Sequence, residues 1–151
     1  MLKRLFWFAL LLLATAGCSA YHKELDSNPA FSSHRFSYYD VEVAWRSEAH
    51  GNTILVTGTV SNLRSYYLRD FEITARPMDQ QGNIFGRQTY ADFPTYISPG
   101  RKEPFKMAFH TPPGIQIKQI HFSYYYWLTE AAPQFRGNED VPTFGSFTAK
   151  P

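Results

Sequence analysis

The chain of 151 residues has one cysteine, at position 18. A single thiol excludes an intramolecular disulfide and any metal site built from several cysteines. Charge of one sign is scarce as well. The 15 basic and 13 acidic side chains leave a net charge of +2, and no basic block gathers into a nucleic-acid footprint. Glycine-rich phosphate loops and the Gly-x-Ser-x-Gly nucleophile elbow are missing. No segment has a convincing 3.6-residue apolar stripe, so little helix is expected. Aromatic residues, in contrast, are abundant: 13 Phe, 10 Tyr and 3 Trp, or 17% of the chain. Together with many Thr and Val they favour strands. With 44% hydrophobic and 19% charged residues, the composition is that of one packed domain and not of a disordered chain.

The first residues carry an address. Lys3 and Arg4 precede an unbroken apolar run, Leu5 to Ala14, and the small residues Thr15, Ala16 and Gly17 follow. This is the layout of a secretory signal, and the run is well short of the ~20 residues that span a bilayer. Cys18 comes directly after Ala16-Gly17. The arrangement resembles the bacterial lipobox, with Thr15 where Leu is commonest. A plain signal peptide followed by a spectator cysteine is the alternative. The resemblance implies cleavage before Cys18 and a diacylglycerol on its thiol, with a further palmitate-type acyl chain on its amine. At ~0.8 kcal/mol per buried methylene, such an anchor is effectively permanent. By the same resemblance, Ser19 in place of a retention-signalling Asp favours the outer membrane, on its periplasmic face, over the inner membrane. Removing Lys3 and Arg4 from the 15 basic side chains leaves as many as the 13 acidic ones, so the basic balance belongs to the leader.

The expected organisation is a signal peptide at 1–17, an acylated Cys18 with a flexible tether to 33, and a β-domain over 34–151. The tether mixes Ser, Asn, Pro and charges without a period. His22 is read as part of it, and His34, the first residue beyond it, is read with it and not as a strand residue. Beyond it, alternation begins: Tyr39-Val41-Val43-Trp45, then Ile54-Val56-Val60 after a Gly51-Asn52 turn, then Phe71-Ile73-Ala75. Gly58 marks a bulge or a close backbone approach. Asp79 to Asn83 is a turn, a strand from Ile84 to about Tyr90 follows, and Ser98-Pro99-Gly100 breaks the chain again. Phe105-Met107-Phe109, then Ile120-Phe122-Tyr124-Tyr126, and a weak strand from Phe144 to Thr148 complete the pattern. Six or seven strands between turn signals predict an all-β, antiparallel sandwich, with a small barrel as the rival.

The spacing Ile54-x-Val56-x-Gly58-x-Val60-x-Asn62, with Leu68-x-x-Phe71-x-Ile73, Asp79-x-x-Gly82 and Ser98-Pro99-Gly100 before Phe105-x-Met107-x-Phe109, resembles the FxLYD-type immunoglobulin-like domains of bacterial envelope proteins. It covers roughly residues 36 to 128. Arg76-Pro77-Met78-Asp79 departs from it where Leu-Tyr-Asp is expected. The resemblance implies an immunoglobulin-like sandwich acting as a binding or spacer module, and it lowers the expectation of an enzyme.

Chemistry-bearing patterns are sparse. Of the histidines, only His110 and His121 can meet, on neighbouring strands across Pro113-Gly114, and neither has metal-ligand spacing to another. Asp70 and Glu72 stand at i, i+2 on one strand, a pattern more often solvated than catalytic. Asp79-Gln80-Gln81-Gly82-Asn83 has too few carboxylates for calcium and reads as a hairpin turn. No catalytic residue, metal or cofactor is therefore expected. The aromatic runs stand out. If Tyr39, Tyr124 and Tyr126 face the core, Tyr38, Tyr125 and Trp127 face outward, because adjacent strand residues point to opposite faces. Three uses of that strip are open: burial under residues 131–151 through Phe135, Phe144 and Phe147, contact with an envelope protein, or stacking on a glycan. The expected function is a non-catalytic, membrane-anchored module for an envelope partner, with glycan binding as the alternative.

Overall fold

The computed structural model describes residues 28–129 and 140–151. Cys18, the leader, His22 and Phe135 lie outside the described residues. Nine strands and no helix are present among the described residues: β1 (Ser33–Tyr38), β2 (Val41–His50), β3 (Thr53–Asn62), β4 (Tyr67–Met78), β5 (Gln88–Tyr90), β6 (Tyr96–Ile97), β7 (Lys102–His110), β8 (Gln119–Thr129) and β9 (Val141–Ala149). They form two antiparallel sheets, β1-β2-β3-β7 and β5-β4-β8-β9, with β6 pairing on β4. The chain makes the β2–β3 hairpin, crosses to β4, returns with β7 beside β3, and crosses again to β8 beside β4. Strands β2-β3-β7 follow the immunoglobulin order A-B-E and β5-β4-β8-β9 the order C′-C-F-G, with β1 added at the edge beside β2. The fold is the expected all-β, immunoglobulin-like sandwich, with more strands than the alternation alone revealed.

Period-two alternation sends one face of each strand inward. Val41, Val43, Val56 and Val60 from one sheet meet Leu68, Ile73, Ile120 and Phe122 from the other, all fully buried. Without a disulfide between layers, aromatic rings bridge them. Phe36 stacks on Phe147 at 3.9 Å between centroids, Phe147 on Phe122 at 5.0 Å, and Trp45 lies 5.1 Å from Phe122. Each such pair is worth about 0.5–1.5 kcal/mol beyond its buried area.

Three local expectations are corrected, and one, on Gly58, is narrowed to one of its two alternatives. His34 belongs to β1, not to the tether: it is buried, stacks on Trp45 at 5.3 Å, and its Nε2 lies 3.2 Å from the Pro151 carbonyl oxygen. Only two inward residues, His34 and Phe36, mark β1, too short a pattern to separate from the tether. Tyr39 is no inward strand residue. It sits in the two-residue connection between Tyr38 and Val41, 49% exposed and at φ +48°. The strand from Ile84 shrinks to Gln88–Tyr90 with a lone bridge between Met78 and Ile84. Gly58 stays in regular register, so it serves close approach, and the bulge falls instead on Asp70 and Phe71 of β4, which oppose Tyr126 alone.

Candidate functional site

Two surfaces concentrate features that packing alone does not require. The first is the end of the sandwich formed by the β1–β2 connection, residues 63–66 and residues 98–101. Two buried polar side chains fasten these loops. Asn62 Nδ2 donates to the carbonyl oxygens of Tyr66 at 2.7 Å and Ile97 at 2.9 Å, and its Oδ1 accepts from the Arg64 N–H at 2.9 Å. Asp40 accepts from the Tyr126 hydroxyl at 2.7 Å and from Arg64 Nε, while its carbonyl oxygen accepts from Leu63 N–H at 2.8 Å. Polar groups this well satisfied rigidify what they join. On that fixed frame Tyr38, Tyr39, Leu63 and Tyr66 are exposed, with Tyr38 and Tyr39 in edge-to-face contact at 4.4 Å. Beside them is a hollow of about 200 Å³, walled by Tyr38, Tyr126, Thr143 and Phe144.

The same surroundings act on the two inward tyrosines of β8. Burial, and then the charge of Asp40, pushes Tyr124 up to about 12. Burial and the hydrogen bond to Asp40 raise Tyr126 further. Both phenols stay neutral at physiological pH. Tyr124 lies against Gly145 of β9, where an added Cβ would stand 2.3 Å from the phenolic oxygen. The missing side chain in the edge strand gives the ring its place.

The second surface is the outward face of the sheet β5-β4-β8-β9. The β4 bulge, with Asp70 at φ +51°, sets Arg69 opposite Trp127 and Glu72 opposite Tyr125. The Arg69 guanidinium lies 5.6 Å from the Trp127 ring centroid and pairs with Asp140. Further along, Thr74 faces Ser123 and Arg76 faces His121 across the same strands, while Tyr125 faces Phe144 of β9. An open trough of about 460 Å³ runs over these rows.

The three aromatic residues singled out from sequence are not one strip. Tyr125 and Trp127 do share the outward face of β8, half-buried and in edge-to-face contact at 5.9 Å. Tyr38 lies at the loop end and opens onto the hollow that the inward Tyr126 walls. Nor does the described part of residues 131–151 cover the strip. β9 joins β8 at the sheet edge, sending Phe147 into the core and leaving Phe144 82% exposed. His110 and His121 belong to different sheets, each beside a threonine hydroxyl: Thr53 at 3.2 Å and Thr148 at 3.1 Å. Burial, and then the charge of Arg76, lowers the His121 pKa. The Asp79 carboxylate is spent within its turn, accepting from the N–H groups of Gln81 and Asn83 and from the Asn83 amide. Those bonds, the side-chain one foremost, hold it below the ordinary range. Among the described residues no group of three or more His, Cys, Asp or Glu is placed to hold a metal ion.

Sequence reasoning missed Tyr39, Leu63 and Tyr66 at the loop end and Arg76, Arg87 and Phe144 around the trough. The Tyr66-Tyr67 pair after Asn62 was a usable signal. The others depend on register and loop geometry. No protein-family model matches the chain, and no curated protein matches it. Among solved structures it is similar to the C-terminal domain of wzt, with 10% identity and a TM-score of 0.48 over 86% of this chain and 85% of that one.

Proposed function

We propose that this chain is a lipoprotein, acylated on Cys18 and held at the periplasmic face of the outer membrane, whose immunoglobulin-like domain is a non-catalytic docking module for an envelope protein. The observation that carries the docking reading is the aromatic loop end. Rings exposed on a frame pinned by Asn62 and Asp40 offer large contact area with little ordering cost. The hollow beside them, about 200 Å³, is smaller than the ~300–1,000 Å³ of small-molecule pockets and suits one inserted side chain.

The anchor reading rests on Ala16-Gly17-Cys18 after the apolar run. The described chain enters at Asn28 beside Lys150, whose Nζ donates to the Asn28 carbonyl at 3.2 Å. From there β1 runs toward Tyr38, so a tether from Cys18 feeds the domain at the end away from the exposed rings. Confinement to the membrane surface raises the effective concentration for membrane-proximal partners.

Replacing Cys18 by Ala tests the anchor. Wild type is expected in the membrane fraction, with the mass of an acylated chain beginning at Cys18, and Cys18→Ala is expected to be soluble or unprocessed. An unlipidated, soluble wild type would overturn the anchor and leave the docking end to be tested on a free domain.

A further inference from the structure

The trough on the outward sheet face has a charge pattern that the fold does not balance. Arg76 of β4 and His121 of β8 are direct cross-strand partners, an arrangement that disfavours the charged imidazole. Arg87, just before β5, lines the same trough. Neither Arg76 nor Arg87 forms an ion pair among the described residues, although Arg35, Arg46, Arg64 and Arg69 all do. The lining carries one carboxylate, Glu72, placed beside Tyr125 and not beside His121. Between the two poles the floor is hydroxylic, with Ser123 facing Ser146 on β9 and Thr74 on β4.

We infer that this trough binds an anionic saccharide, a sugar carrying a carboxylate or a phosphate. Two arginines and a histidine lining one trough suit an oxyanion, because arginine matches carboxylate and phosphate in a bidentate fork. Glu72 and the serine hydroxyls supply acceptors and donors for sugar hydroxyls. Tyr125 and the exposed Phe144 supply apolar surface at the opposite pole for a ring's C–H face. At about 460 Å³, the trough lies within the range of small-ligand sites and is more than twice the hollow at the loop end. An acidic peptide offers the charge but not the ring that the aromatic pole accommodates. The inference needs neither the anchor nor the docking end.

The test is saturation-transfer NMR on the purified full chain in detergent micelles. The probes are methyl glucuronide, glucose 6-phosphate, methyl glucoside and a hexaglutamate peptide, with inorganic phosphate, which has no carbon-bound protons, read as a competitor of the charged sugars. At least one charged sugar is expected to bind tenfold or more tightly than methyl glucoside, and the two charged probes distinguish carboxylate from phosphate. Arg76→Gln with Arg87→Gln is expected to erase that preference with the circular dichroism spectrum unchanged. Tyr39→Asn, at the loop end, is expected to leave it intact. The inference is overturned if neither charged sugar gives transfer or if methyl glucoside binds equally. It is also overturned if inorganic phosphate or hexaglutamate matches the charged sugars, or if the double variant keeps the preference. Lost membrane anchoring in Cys18→Ala would change none of these outcomes.

Discussion

Tyr124 has two constraints that pull on one phenol. Its ring fills the space that Gly145 leaves open, and burial near Asp40 keeps the hydroxyl protonated well beyond its ordinary value of 10.0. The sign of the linkage follows. Above pH 10 the unfolded chain releases this proton while the folded one holds it until about 12, so the unfolded state binds fewer protons and stability falls as pH rises through that window. Tyr124→Phe is expected to lose less stability between pH 9 and 12 than wild type in urea titrations, with near-wild-type stability at pH 7. An equal alkaline loss in the variant would assign the effect elsewhere. Neither Gly145 nor the burial of Tyr124 under Asp40 was visible in the sequence as a pair. Tyr124 read correctly as inward, but its contacts come from β9 and the β1–β2 connection, both long-range. Tyr39 was misread for the opposite reason. Its alternation with Val41 continues a real strand pattern one step too far, into a connection where the backbone has φ +48°.

Legibility at the scale of elements tracked the length of the alternating run. β2, β3, β7 and β8 each carry several inward apolar residues and were read within a few residues of their ends. β1, β5 and β6 are short and lean on neighbours, so local pattern does not define them. Within β3, Gly58 illustrates what register adds. An added Cβ there would stand 2.3 Å from the Ala44 carbonyl oxygen and 2.6 Å from the Phe105 ring, so the glycine lets β7 lay an aromatic ring across β3. Gly58→Ala is expected to lower unfolding stability by about 1–3 kcal/mol, the usual cost of overpacking. A urea midpoint unchanged from wild type would show that Phe105 and the strands yield freely.

In the molecule as a whole, Tyr38, Tyr39 and Tyr66 cluster at one end of the sandwich, and the described chain enters toward the other, where Phe31 is exposed. Tyr38, Tyr39, Leu63 and Tyr66 share the loop end, whereas Ile84 is exposed near the opposite end, beyond the Asp79–Asn83 turn. On the proposed anchoring through Cys18, this polarity offers the aromatic end to partners above the membrane. The direct test is photocrosslinking in the cell envelope from single positions of the full chain, at Tyr39 and Tyr66 and, as the control, at Ile84. The account predicts discrete protein adducts from Tyr39 and Tyr66, absent from Ile84 and reduced in Cys18→Ala. No adduct from the loop end, or equal adducts from Ile84, would contradict it.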